Sequence, residues 1–69
     1  MKRISVESSN LRSIGYDVDA GKLEVEFKGG EVYEYSRISP QVWDNFLSAS
    51  SKGKFFALYL RSLGGRRIS

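Results

Sequence analysis

The chain has 69 residues, of which 41% are hydrophobic, including four phenylalanines, four tyrosines and one tryptophan. That suffices for one folded domain and no more, and is too apolar for a disordered segment. With no cysteine, no histidine and a net charge of only +3, the chain lacks disulfides, thiolate or imidazole metal ligands, and the catalytic arrangements built on those residues.

Met1-Lys2-Arg3 is basic, but no apolar stretch follows, so no secretory signal is read. The longest apolar run, Phe55 to Leu60, is six residues and too short to cross a bilayer. A cytoplasmic protein without a membrane segment is the expectation. Ile4-Ser5-Val6 is either a short strand or an ordered arm, and Ser8-Ser9-Asn10 is a turn cluster. Residues 11–18 alternate, with Ile14, Tyr16 and Val18 on one face and Ser13, Gly15 and Asp17 on the other, as a half-buried strand requires. Asp19-Ala20-Gly21 follows as a loop with a glycine suited to positive φ.

Leu23-Glu24-Val25-Glu26-Phe27-Lys28 alternates without a fault, and Gly29-Gly30 closes a hairpin onto Val32-Tyr33-Glu34-Tyr35-Ser36. The register of that hairpin decides what the tyrosines do. A two-residue turn pairs Phe27 with Val32 and throws Tyr33 and Tyr35 onto the charged face, where they form an exposed stacking platform. A three-residue loop with a glycine bulge shifts the pairing by one and brings both onto the apolar face. A small domain with no staple has to bury nearly all its large apolar side chains, which favours the second register.

The period then changes. Ser39-Pro40 starts a helix, as N-cap and first helical residue, and Val42, Trp43, Phe46 and Leu47 form its apolar face. Ser50-Ser51 opens a second helix, with Phe56, Tyr59, Leu60 and Leu63 at i, i+3, i+4 and i+7, and Gly64 ends it. The fold class is therefore α+β: a three-stranded antiparallel meander followed by a two-helix hairpin packed on one face of the sheet. Residues 1–64 form the single domain and 65–69 a flexible basic tail. Self-association is the other route by which a short chain gains burial, so the expectation is a monomer or a weak homodimer.

Charge is unevenly distributed. Residues 1–34 carry five basic and seven acidic side chains (−2), and residues 35–69 carry six basic and one acidic (+5). A basic half with pI near 9.5 overall fits a nucleic-acid partner and equally fits a solvated surface. Ser50-Ser51-Lys52-Gly53-Lys54 is the most site-like stretch, because a helix N-terminus with hydroxyls, a glycine and lysines suits an anion. Its plain alternative is a capped helix start with two solvated lysines. Tyr33 and Tyr35 would stack on bases if exposed, with Arg37 on a phosphate, and are otherwise core. Glu24, Glu26 and Glu34 read as a solvated strand face, not as a metal or acid–base site. The candidate nucleic-acid or anion-binding set is thus Arg37, Lys52, Gly53, Lys54, Arg61, Arg66 and Arg67, with no catalytic residue, no metal site and no cofactor.

The spacing of several of these pieces resembles a known family. Val6-Glu7-Ser8-Ser9-Asn10-Leu11, Ser13-Ile14-Gly15-Tyr16-Asp17, Leu23-x-Val25-x-Phe27, Gly30, Tyr33-x-Tyr35, Val42-Trp43, Ala49-x-Ser51-x-Gly53 and Phe55-Phe56 together resemble the KTSC domain over residues 6–61. That domain is found at the C-terminus of some lysyl-tRNA synthetases and as a small stand-alone bacterial or phage protein. The resemblance implies no catalytic set and points to RNA as a partner through the synthetase association. The chain departs from the family's pattern at Ser39, where proline is usual, at Trp43 and Phe55, where tyrosine is usual, and at Ala57, commonly asparagine. From the residues and the resemblance together, the expected function is a non-catalytic module binding RNA or other single-stranded nucleic acid through its basic C-terminal half. The alternative is a protein-interaction or homodimerisation module.

Overall fold

Unbroken alternation from Leu23 to Phe27 sets the central strand, and everything else is ordered around it. The computed structural model describes residues 2–69, so Met1 lies outside it. The elements are β1 (Arg3–Ser5), β2 (Leu11–Asp17), β3 (Lys22–Phe27), β4 (Val32–Tyr35), α1 (Pro40–Ser48), α2 (Lys52–Phe55) and β5 (Arg66–Arg67). The strands form one antiparallel sheet in the order β1-β2-β3-β4-β5, with the helices packed on one face. The α+β class and the central meander are as the sequence predicts, but the sheet has five strands and not three. β1 realises the strand alternative for the Ile4-Ser5-Val6 segment, shifted one residue earlier, whereas β5 falls in the expected tail; both are short edge strands, too brief to alternate clearly.

The expected flexible tail is the larger correction. Arg67 pairs with Tyr33 and Arg66 with Glu34, and beyond them the Ile68 amide donates to the Val32 carbonyl at 2.8 Å. Gly65 makes this possible: a Cβ there would collide with the Tyr35 ring, so only glycine lets the chain pass so close.

The β3–β4 hairpin takes the three-residue form. The Phe27 amide donates to the Glu31 carbonyl at 2.9 Å, Gly30 adopts φ 101°, and Val25 and Leu23 lie opposite Tyr33 and Tyr35. Both tyrosines therefore share the face of Leu23, Val25 and Phe27.

β2 contains an irregularity invisible to simple alternation. Leu11 lies opposite Phe27 while Ser13 lies opposite Glu26, so Arg12 is an extra residue. The bulge returns Leu11 to the inner face beside Ile14, and both are fully buried. Val18 does not extend the strand. Asp17 accepts the amides of Asp19 and Ala20 on its carboxylate, which starts the turn early and leaves Val18 exposed.

α1 begins as its Ser39-Pro40 signal requires, with the Ser39 hydroxyl accepting the Val42 amide. Its Phe46 is fully buried and stacked on Phe55 at 5.2 Å, while Trp43 stacks on Tyr16 at 5.3 Å. α2 continues into a π-helical segment, Phe56–Leu60, and a 3-10 turn, Arg61–Leu63. The Arg61 amide reaches back five residues to Phe56, widening the turn. Phe56 and Leu60 remain buried, but Tyr59 and Leu63 are rotated out to solvent, contrary to their expected place on the apolar stripe.

Candidate functional site

On the outer face of the sheet the carboxylates are already engaged. Glu24 lies 3.8 Å from Arg3, Glu26 accepts the Ser13 hydroxyl at 2.7 Å, and Glu34 takes Lys22 at 3.7 Å and Arg66 at 3.1 Å. Among the described residues no group of three acidic side chains is placed to hold a metal ion. Arg66 is therefore held on the outer face by Glu34, whereas Arg67 stands opposite Tyr33 on the inner side.

The Ser50–Lys54 stretch folds largely onto itself. The Ser51 hydroxyl accepts the Lys54 amide at 3.2 Å, and the Lys52 ammonium donates to the Ala49 carbonyl at 3.0 Å. A Cβ on Gly53 would lie 2.9 Å from the Ser8 hydroxyl, so close packing explains this glycine. The stretch is a capped helix start, with Lys54 exposed to solvent.

A groove of about 480 Å³ lies where the inner face of β3 and β4 emerges beyond the helices. Asn10, Phe27, Glu31, Tyr33, Tyr35, Phe56, Arg61, Gly64 and Gly65 line it. The two tyrosines differ there. Tyr35 is 5% exposed, edge-on to Phe56 and covered by Gly65, so it has no free face for a base, and its expected stacking role is withdrawn. Burial pushes its phenol above the ordinary tyrosine range, the neighbouring Tyr33 adds to this, and Arg61 opposes it. Tyr33 is half-buried, with its ring edge-on to Phe27 at 5.7 Å. Of the basic residues singled out from the sequence, Arg61 is in this groove and Arg67 beside it, while Lys52 and Lys54 do not line it.

Two further grooves adjoin. One, of about 580 Å³, is mostly apolar and includes Val42, Phe55, Tyr59, Leu60 and Leu63, with Arg37 and Asn45. The other, of about 550 Å³, is polar and collects Lys22, Glu34, Ser36, Arg37, Leu63, Gly64 and Arg66. Arg37 lines both. Sequence reasoning did not include Lys22, Phe27 or Phe56 in a site, because hairpin register and helix docking bring them to the grooves.

Residues 7–62 match the model of the KTSC domain. An uncharacterised protein of Stutzerimonas stutzeri is 46% identical over 56 residues, covering 81% of this chain and 79% of that protein. A lysine–tRNA ligase of Nostoc punctiforme is 33% identical over 55 residues, which is 80% of this chain but 10% of the ligase. The crystal structure of a KTSC domain protein from Yersinia pestis superposes with a TM-score of 0.90 at 38% identity, covering 99% of this chain and 97% of that one. By the residues matched and the likeness in fold, the chain belongs to the KTSC domain family.

Proposed function

We propose that the protein is a non-catalytic module that binds single-stranded RNA, with one base lodged in the aromatic groove. The observation that carries this is the meeting of the half-buried Phe27 and Tyr33 with Arg61 in one groove, beside the buried Phe56 and with Arg67 opposite Tyr33. Half-buried aromatic rings accept a base face at little cost in conformational freedom, and arginines beside them take the flanking phosphates. The 33% identity to a segment of a lysine–tRNA ligase adds support, since that enzyme handles RNA.

The test is titration of a fluorescein-labelled decauridylate at low salt, followed by fluorescence anisotropy. Binding should weaken steeply with added salt. Tyr33→Ala should weaken it about tenfold, within the range of roughly 1–3 kcal/mol for loss of one base–aromatic stack. Absence of salt-dependent binding to either the decamer or a transfer RNA would refute the reading.

The exposed Leu58, Tyr59 and Leu63 favour a second reading, homodimerisation through the apolar groove. Sedimentation across a wide concentration range tests it, and a monomer throughout excludes it.

A further inference from the structure

Arg37 is the only residue other than glycine with positive φ among those described, at 61°. A β-carbon in this left-handed conformation costs roughly 1 kcal/mol, which glycine would avoid. The turn itself is needed: it lets Ile38 drop into the core, with its amide on the Gly21 carbonyl at 2.9 Å. An arginine is not needed for that. Its side chain makes no ion pair or hydrogen bond among the described residues, and it is exposed. Strain retained on an unengaged cation is an observation from which function can be inferred.

The surroundings indicate what it binds. Arg37 shares the polar groove with Lys22, Arg66 and Ser36, three cations and a hydroxyl against the single carboxylate of Glu34. Lys22 is 3.7 Å from that carboxylate, too far for a direct hydrogen bond, and so keeps donors to offer. Gly64 lines both this groove and the aromatic one. It sits at φ 73° with nothing within 4 Å of the place where its side chain would be, so no side chain crowds the residue that the two grooves share.

We propose that Lys22, Ser36, Arg37 and Arg66 form a phosphodiester site, which takes the backbone of the same single strand after it crosses Gly64 from the aromatic groove. This rests on the base-binding reading above and adds the path of the strand and its second point of contact. Guanidinium and ammonium groups suit phosphate oxygens, and the Ser36 hydroxyl adds a neutral donor.

Arg37→Gly tests it, because the substitution removes the cation and relieves the backbone strain at once. The full-length variant should show an unchanged or higher thermal midpoint. Its affinity for the decauridylate should fall about fivefold, the scale of one exposed charge contact. The slope of log affinity against log salt should become shallower by about 0.7, the value for one phosphate on a single strand. Lys54→Ala makes the same change in net charge outside the groove and should have a markedly smaller effect. Equal losses from both variants, or no loss from Arg37→Gly, would overturn the site. A Tyr33→Ala loss with an unaffected Arg37→Gly overturns this inference and leaves the base-binding reading standing. The reverse pattern refutes the aromatic groove and with it the strand path, leaving a phosphate contact alone. Inorganic phosphate distinguishes the remaining source: saturable amide shifts at Lys22, Ser36 and Arg37 with phosphate, together with unchanged decamer affinity in Arg37→Gly, would identify a free-anion site and overturn the strand path.

Discussion

Replacing Gly65 with alanine should destabilise the protein, and the sign of the effect is what matters. Gly65 is not at positive φ, so alanine suits its backbone. Were residues 65–69 a free tail, the substitution would be silent, because the residue would be equally free in the folded and unfolded chain and no entropy difference would arise. In the fold described here the new methyl collides with three carbons of the Tyr35 ring. That ring has little room to retreat, being nearly fully buried and edge-on to Phe56 at 5.7 Å. Overpacking of this kind costs about 1–3 kcal/mol. For a domain of this size each kcal/mol lowers the thermal midpoint by roughly 4–8 °C. Two measurements check it, thermal unfolding by circular dichroism and amide exchange at Ile68, whose N–H is bonded to the Val32 carbonyl. The variant should lose midpoint and Ile68 protection together. An unchanged or raised midpoint, with Ile68 unprotected already in the parent protein, would refute the docking of β5.

Other perturbations follow from the same geometry. Phe46→Ala should cost about 3–5 kcal/mol, because Phe46 is fully buried between Phe55 and Trp43; a domain of this size has roughly 3–10 kcal/mol in total, so urea unfolding should show little or no folded baseline. Tyr35 has its folded pKa raised, so its contribution is fully present below the unfolded tyrosine value and is lost as pH rises through the folded one; stability should decline in the alkaline range, and Tyr35→Phe should flatten that decline in denaturation curves across pH. Glu34→Gln releases Lys22 and Arg66 from their shared carboxylate, at about 0.5–1 kcal/mol in stability. It should raise decauridylate affinity several-fold and steepen its salt dependence, and a lower affinity would count against the polar groove as a phosphate site.

The candidate site was legible only in fragments. Tyr33, Arg61 and Arg67 stood out by residue type, and the structure brings them together. Lys52 and Gly53 stood out equally, yet contacts within the fold explain them: the Lys52 ammonium bonds the Ala49 carbonyl, and at Gly53 the Ser8 hydroxyl leaves no room for a Cβ. Phosphate-like composition at a helix start and ordinary capping use the same residues, so sequence alone cannot separate them. Lys22 was unremarkable as one charged residue in an acidic half, and it becomes part of a groove because Leu63, Gly64 and Arg66 fold back beside β4.

By itself, the sequence determined the α+β class, the β3–β4 hairpin and the start of α1. Those features rest on short-range periodicity and capping, which act within a few residues. The absence of cysteine and histidine likewise restricted the chemistry at once. Tertiary structure decided the rest. It set the five-strand count, because β1 and β5 are ordered by pairing with a neighbour and not by any pattern of their own. It buried Tyr35 while leaving Tyr33 half open, because Gly65 and Phe56 close over one ring and not the other. The modest charge of +3 proved uninformative until the fold sorted it: Arg66 is held by Glu34, Lys52 is turned onto a carbonyl, and Arg37 has no partner among the described residues. Such sorting depends on contacts between residues far apart in the chain, which no local pattern encodes.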